Sequence, residues 1–328
     1  MTIGMHIEPF GAIPSALATE TADHTAGARG GPDYNTPEFF ERHVADILTV
    51  TALVEAHGGR MTIQAQSPFT TVALQTGNAV LADLARRGHE IALHFHEDAH
   101  LGPNSAALPV ETWCMVMDEE LALIREASGV SRIRYWSGGN LYPQLYEAAA
   151  CAGLDVNSDW KNPRTQTTDL ALVGVHPWRP AGGTDGFDLS LFTRHDPSGS
   201  VVFLPEGQYD SESFAAMRRS EESGGDEAYF AYLASALIAS LEVARTDWVN
   251  VFHFTVHPGE FRGDPMRPFS VIERFLIEVV DPLVESGQVR WATLSEMADA
   301  FIAWETAHPG ADPRVSTAAA VSDAQKEQ

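Results

Sequence analysis

Short stretches in which apolar and polar residues alternate are interleaved with longer stretches that are apolar at three- and four-residue spacing. The first pattern has the period of a strand and the second that of a helix. Strands are predicted at 2–8, 60–66, 89–96, 132–137, 155–160, 170–176, 200–205, 249–257 and 289–292. Helices are predicted at 37–57, 77–87, 110–128, 142–152, 226–246, 270–286 and 294–305. Thr36 and Pro37 open the first helix and Gly58-Gly59 stop it, while Thr293-Leu294-Ser295-Glu296 spells a capping box before the last.

Strand and helix alternating over most of the chain imply a parallel α/β sheet, either a barrel or a doubly wound sheet. Neither a Gly-rich dinucleotide fingerprint nor a phosphate loop follows the first strand, which counts against a doubly wound nucleotide-binding fold. The Gly-, Pro- and Asp-rich region 160–225 reads as an elaboration beside the site. One domain is expected over 1–307, with 308–328 a mobile tail.

In a parallel barrel the chemistry sits at the carboxyl ends of the strands. Gly88–His100 carries four histidines, and its alternation puts His94 and His96 on one side, opposite Ile91, Leu93 and Phe95. Asp98 and His100 follow. Two imidazoles at a strand end with further donors just beyond suit a divalent metal. The first strand puts His6 and Glu8 on one face, for the same pocket or as a buried ion pair. Arg134 and Trp136 lie on a middle strand before Ser137-Gly138-Gly139, and Asp155, Asn157 and Asp159 on the next, with Trp160 beyond. Arg134 either orients a carboxylate or pairs with Asp155 or Asp159. Trp136 and Trp160 read as half core and half pocket wall. His257 ends a late strand, where an imidazole of ordinary pKa, about 6.5, can pass a proton to a leaving group. His253, deeper in that strand, reads as core, and Glu206 as a turn residue.

Composition narrows the partners. With 328 residues, 44% of them hydrophobic, the chain can build a real core. A formal charge of −24 argues against nucleic acid and anionic membranes and leaves a small-molecule or carbohydrate substrate. No apolar run reaches the roughly 20 residues of a membrane span, and no signal-peptide pattern opens the chain. Cys114 and Cys151 read as reduced thiols, which with the rest predicts a cytoplasmic protein. The oligomeric state is left open.

Gly88-His89-Glu90-Ile91 followed by His94 resembles the second motif of the polysaccharide deacetylase family, with Leu81–Gly88 similar to the helix before it. Arg134 with Gly138-Gly139 and the later Gly153–Asp159 resembles the third motif, whose Arg orients the catalytic base. Phe252–Pro258 is similar to the late motif with the catalytic His, and Trp291–Ala298 to the closing strand and helix. The likeness covers most of the chain, although only the second motif is fairly specific. It implies a distorted (β/α) barrel of TIM-like type and a metal-dependent hydrolase that removes N- or O-acyl groups from carbohydrates. On that resemblance the catalytic group comprises His6, Glu8, Arg134 and His257, and the ligands of a divalent ion (Zn²⁺ first; Co²⁺, Ni²⁺ or Mn²⁺ as alternatives) come from Glu8, His94, His96, Asp98 and His100. Trp136, Gly138, Asp159 and Trp160 would line the substrate. The chain departs from the family where two adjacent aspartates are usual: the first strand ends His6-Ile7-Glu8-Pro9. Asp98 also stands where a second metal His is usual, so Asp98, His96 or His100 takes that place. Two rivals follow: a non-catalytic barrel that binds a carbohydrate-like ligand, and a different metal-dependent amidohydrolase or lyase.

Overall fold

The computed structural model describes residues 1–7, 37–102, 104–139, 141–158, 168–182, 189–209, 225–258 and 269–314, and of Asp98 the backbone only. Seven parallel strands make one sheet: β1 (Thr2–His6), β2 (Thr62–Ala65), β3 (Glu90–Phe95), β4 (Tyr135–Gly138), β5 (Val156–Asn157), β6 (Val202–Phe203) and β7 (His253–Val256). Their spatial order is β6-β5-β4-β3-β2-β1-β7. The sheet curls into a distorted, incomplete (β/α) barrel, as the strand–helix alternation and the family resemblance both imply.

Among the described residues the edge strands β6 and β7 do not pair. Irregular chain bridges them: the His253 N–H donates to the Glu206 carbonyl at 3.3 Å, and the Val251 N–H to that of Val175 at 2.8 Å. The strand expected at 170–176 is instead a 3₁₀ turn, Leu170–Leu172, followed by an isolated bridge between Gly174 and Gly207. The strand expected at 289–292 is extended chain lying under β1, where the Ala292 N–H donates to the Met1 carbonyl at 3.0 Å.

The helices form where the sequence pattern places them, with some adjustments. They are α1 (Pro37–Ala56), α2 (Phe69–Thr76), α3 (Val80–Arg86), the short α4 (Glu97–His100), α5 (Val110–Ser128), α6 (Leu145–Cys151), α7 (Gly225–Glu242), α8 and α9 (Leu294–Ala307). α8 runs through Ser270–Phe275, a π-helical Leu276–Val280 and Asp281–Glu285. α2 went unseen in the sequence, and α3 covers only part of 77–87. α9 opens with the expected capping box: Thr293 and Glu296 each accept the other's backbone N–H.

Two layers of core follow from strand parity. Ile3, Met5, Ile63, Leu93 and Phe254 face outward and pack against α1, α5 and α8, where each buried side chain contributes about 1.5–3 kcal/mol. The alternate residues Ala92, Tyr135, Val156 and Val202 face inward and meet Leu294, Met297 and Phe301 of α9, which plugs the amino end of the barrel.

One expectation is corrected. Cys114 and Cys151 are not free thiols but a disulfide that ties α5 to α6. Their separation of 37 residues hid a contact that helix packing creates. The bridge removes the thiol-based argument for a reducing compartment. Within the stretch expected as a tail, Arg314 lies over the Trp178 ring and donates to the Thr193 and Ala171 carbonyls. Residues 315–328 lie outside the described part, as do stretches within 160–225. Among the described residues no helix is long and apolar enough to cross a membrane.

Candidate functional site

Strand parity and register bring four histidines and a serine to the carboxyl end of the barrel. His6 ends β1, and His94 lies near the end of β3, where it is the direct cross-strand partner of Ser137 on β4. Met5 pairs with Val256, so His257, the next residue after β7, stands beside His6. His96 follows β3 as the cap residue of α4. The rings of His6 and His94 stack at 3.9 Å between centroids. His257 meets His6 edge-on at 5.3 Å, and His96 meets His94 edge-on at 5.6 Å. His6 and His94 are buried, whereas His96 and His257 are partly exposed and form the open side.

Ser137 joins the two buried rings. Its Oγ lies 2.7 Å from Nδ1 of His94 and 3.0 Å from Nε2 of His6. Gly138, expected to line substrate, supports this arrangement from behind. Its φ of 77° is one that glycine adopts freely, and a Cβ there would stand 2.5 Å from the Phe95 carbonyl and 3.4 Å from the His94 ring.

His100 is not brought into the cluster. Its Nδ1–H donates to the His96 carbonyl at 2.8 Å, which aims Nε2 at Glu120, 3.5 Å away. Both side chains are essentially inaccessible to solvent, and Phe95 stacks on the imidazole. Burial by itself would discharge both groups, but each holds the other charged: the His100 pKa is raised and that of Glu120 lowered. Glu120 also accepts the Ser67 N–H at 2.7 Å. The pair is a buttress behind the loop that carries His96.

Arg134 is placed at the opposite end of the barrel. It precedes β4, and its guanidinium engages Asp155 at 2.9 Å and Asp299 of α9 at 2.5 Å. Of the two options open in the sequence, the pairing with Asp155 is the one formed, so Arg134 does not face the histidines. Trp136 is likewise displaced by one step of parity. It points outward, fully buried and edge-on to Tyr146, and Ser137 takes the inward position assigned to it. Glu8, Asp159 and Trp160, and the side chain of Asp98, lie outside the described residues.

Sequence reasoning gave Ser137 no role, and Gln64 none either. Gln64 faces the barrel interior as the cross-strand neighbour of His6 and is buried. Gly4 leaves room for it, since a Cβ there would meet Nε2 of Gln64 at 2.7 Å. The alternation Thr62-Ile63-Gln64-Ala65-Gln66 was the available signal.

No protein-family profile matches the chain, and no curated protein matches it in sequence. Solved structures do. A "putative polysaccharide deacetylase" from Mycobacterium smegmatis superposes with a TM-score of 0.53 at 14% identity, over 93% of this chain and 92% of that one. The protein has the polysaccharide deacetylase fold. A "putative glycoside hydrolase/deacetylase" from Parabacteroides distasonis gives a TM-score of 0.52 at 12% identity, over 93% of this chain and 71% of that one. A 4-alpha-glucanotransferase from Thermococcus litoralis gives 0.50 at 14% identity, but this chain covers only 38% of it. At such identities the likeness is one of fold, and function has to be argued from the site.

Proposed function

We infer that this polysaccharide-deacetylase-fold protein is a metal-dependent hydrolase that removes an acyl group from an N-acylated sugar or a similar small amide. The observation that carries this reading is the convergence of His6, His94, His96 and His257 at the carboxyl end of the barrel. Neutral imidazoles are the commonest metal ligands. His94 and His96 stand 5.6 Å apart between ring centroids at the open end of the barrel. The donor chemistry therefore fits a divalent ion, Zn²⁺ first, with Co²⁺, Ni²⁺ and Mn²⁺ as alternatives. His94 and His96 would hold it, with Glu8 or Asp98 as the third ligand. When bound, the ion supplies Lewis acidity and a water of lowered pKa.

The chain's own groups do the rest. The attacking water loses its proton to His6 or to a neighbouring carboxylate. His257, on the open side, protonates the leaving nitrogen. The neighbours named for carbohydrate chemistry support a carbohydrate as the substrate class.

The test is metal content together with hydrolysis of a panel of acylated sugars and amides, for the wild type and for His94→Ala. Stoichiometric metal that His94→Ala loses, along with product release, is the expected result. A wild type that binds none of Zn²⁺, Co²⁺ or Ni²⁺ at micromolar concentration overturns the reading. One observation favours a second reading, a non-catalytic barrel that binds a carbohydrate-like ligand. Among the described residues no group of three or more His, Cys, Asp or Glu is arranged to close around an ion. Sugar binding without hydrolysis, whether or not metal is present, would select it.

A further inference from the structure

We propose that Ser137 is a positioning residue that locks His6 and His94 into the same tautomer. The hydroxyl lies within hydrogen-bond distance of Nδ1 of His94 and of Nε2 of His6 at once, and it is fully buried. A serine hydroxyl has one hydrogen to give and lone pairs to accept with. Among the described residues the buried hydroxyl has no third partner to take its hydrogen, so between two neutral imidazoles it donates to one facing nitrogen and accepts an N–H from the other. In one arrangement the Nδ1–H of His94 donates to Ser137, and Ser137 donates to Nε2 of His6, which keeps its own proton on Nδ1. In the other, the Nε2–H of His6 donates to Ser137, and Ser137 donates to Nδ1 of His94, which keeps its proton on Nε2. Both rings are then Nδ1–H or both are Nε2–H: of the two mixed pairs, one leaves a short contact without a hydrogen, and the other makes Ser137 accept from both rings and leaves its own buried hydroxyl hydrogen without an acceptor.

The placement is enforced by the fold. Ser137 is the register partner of His94. Gly138 lets β4 approach the Phe95 carbonyl more closely than any side chain would allow. The 3.9 Å stacking of the two rings keeps both within reach of one hydroxyl.

A consequence rests on the metal-dependent reading above. Ligation through Nε2 of His94 requires the Nδ1–H arrangement. His6 then accepts from Ser137 at Nε2 and carries its proton at Nδ1, so it has no bare nitrogen for a water proton. It becomes a hydrogen-bond donor, and the base is the neighbouring carboxylate.

Nitrogen-15 NMR of the full chain at a pH of about 8, where ordinary histidines are neutral, reads the tautomers directly. The metal-free wild type should show His6 and His94 in matching tautomers. Ser137→Ala should change the tautomer populations of both rings, and Ser137→Thr, which keeps the hydroxyl, should restore them. Opposite tautomers in the wild type overturn the proposal, as do populations in Ser137→Ala equal to those of the wild type. The wild-type spectrum decides alone if Ser137→Ala does not fold. Adding Zn²⁺ alone should move both rings to Nδ1–H together, and a response of His94 without His6 also overturns the lock. Failure of Zn²⁺ to bind, with matched tautomers intact, counts against the metal-dependent reading and not against the lock.

Discussion

His89 and His94 are five residues apart at the two ends of one strand, and they show how differently the two mouths of the barrel are built. At the amino end, Nδ1 of His89 accepts the Met61 N–H at 3.0 Å, which fixes its proton on Nε2, 2.9 Å from Glu55. Burial lowers its pKa despite that carboxylate. Glu55 is shared with Arg87, Glu90 accepts from Thr62 and Ser295, and Arg134 sits between Asp155 and Asp299. Backbone groups, hydroxyls and opposite charges settle these side chains, and the bonds of Glu90 to Ser295 and of Arg134 to Asp299 fasten α9 across the barrel floor. At the carboxyl end, His94 meets other imidazoles and a hydroxyl that can donate either way. The side chains of the amino end are fixed by their partners, whereas those of the carboxyl end are the ones the proposed chemistry would use. The Gly-His-Glu of the motif belongs to the first, and only its later histidine to the second.

The sharpest attempt to break this division is at His100, which lies near the open mouth yet is built like a floor residue. Glu120→Ala leaves the His100 ring buried without its anion and should cost about 3–5 kcal/mol in denaturant unfolding. Metal binding by the folded fraction should survive. Lost metal binding at unchanged stability would instead make His100 part of the site. The pH dependence of the pair has two edges. The raised pKa of His100 gives stability that is full below its unfolded value and lost as pH rises through the folded one. The lowered pKa of Glu120 gives stability present above its unfolded value and lost as pH falls through the folded one. Glu120→Ala should therefore flatten the stability profile at both edges.

Between the two mouths lies His253, buried inside the barrel, with Nε2 3.4 Å from the Leu204 carbonyl. Burial lowers its pKa from 6.5 to about 4. The sign is opposite to that of His100: the unfolded chain takes up this proton first, so the fold is penalised as pH falls below 6.5, and the penalty levels off below about 4. Its size is on the order of 3 kcal/mol. His253→Gln should unfold less steeply with acid across that window, whatever its stability at neutral pH. An acid profile parallel to that of the wild type would show that His253 titrates alike in the folded and unfolded chain.

What the sequence disclosed follows from contrast between neighbouring residues. In 89–96, apolar and polar residues alternate cleanly, so the shared face of His94 and His96 could be read directly. In Arg134-Tyr135-Trp136-Ser137 they do not: two large aromatics are adjacent, and parity slipped by one, which promoted Trp136 and hid Ser137. Arg134 was misplaced for a different reason, because β4 begins only after it and the motif says nothing about which mouth it faces. α5 was legible to its last residue because Gly129 stops it in a left-handed turn. α2 opens after Pro68 without a side-chain cap, so nothing announced it. The disulfide depends on α5 packing against α6, a tertiary fact that the spacing of two cysteines does not encode.

The smallest effect tests the floor itself. Arg134 is largely sheltered, while Asp155 is about one-third exposed and Asp299 mostly exposed, so solvent screens much of their attraction. Arg134→Leu keeps the aliphatic bulk and should cost about 1–2 kcal/mol, most of it from the lost hydrogen bonds to Asp155. Because the guanidinium is at the amino end, kcat, KM and metal content measured below the unfolding transition should match the wild type. A drop in kcat with unchanged Tm would put the arginine back into the chemistry. It would also mean that the two mouths communicate through β4, which Arg134 precedes at one end and which brings Ser137 to the other.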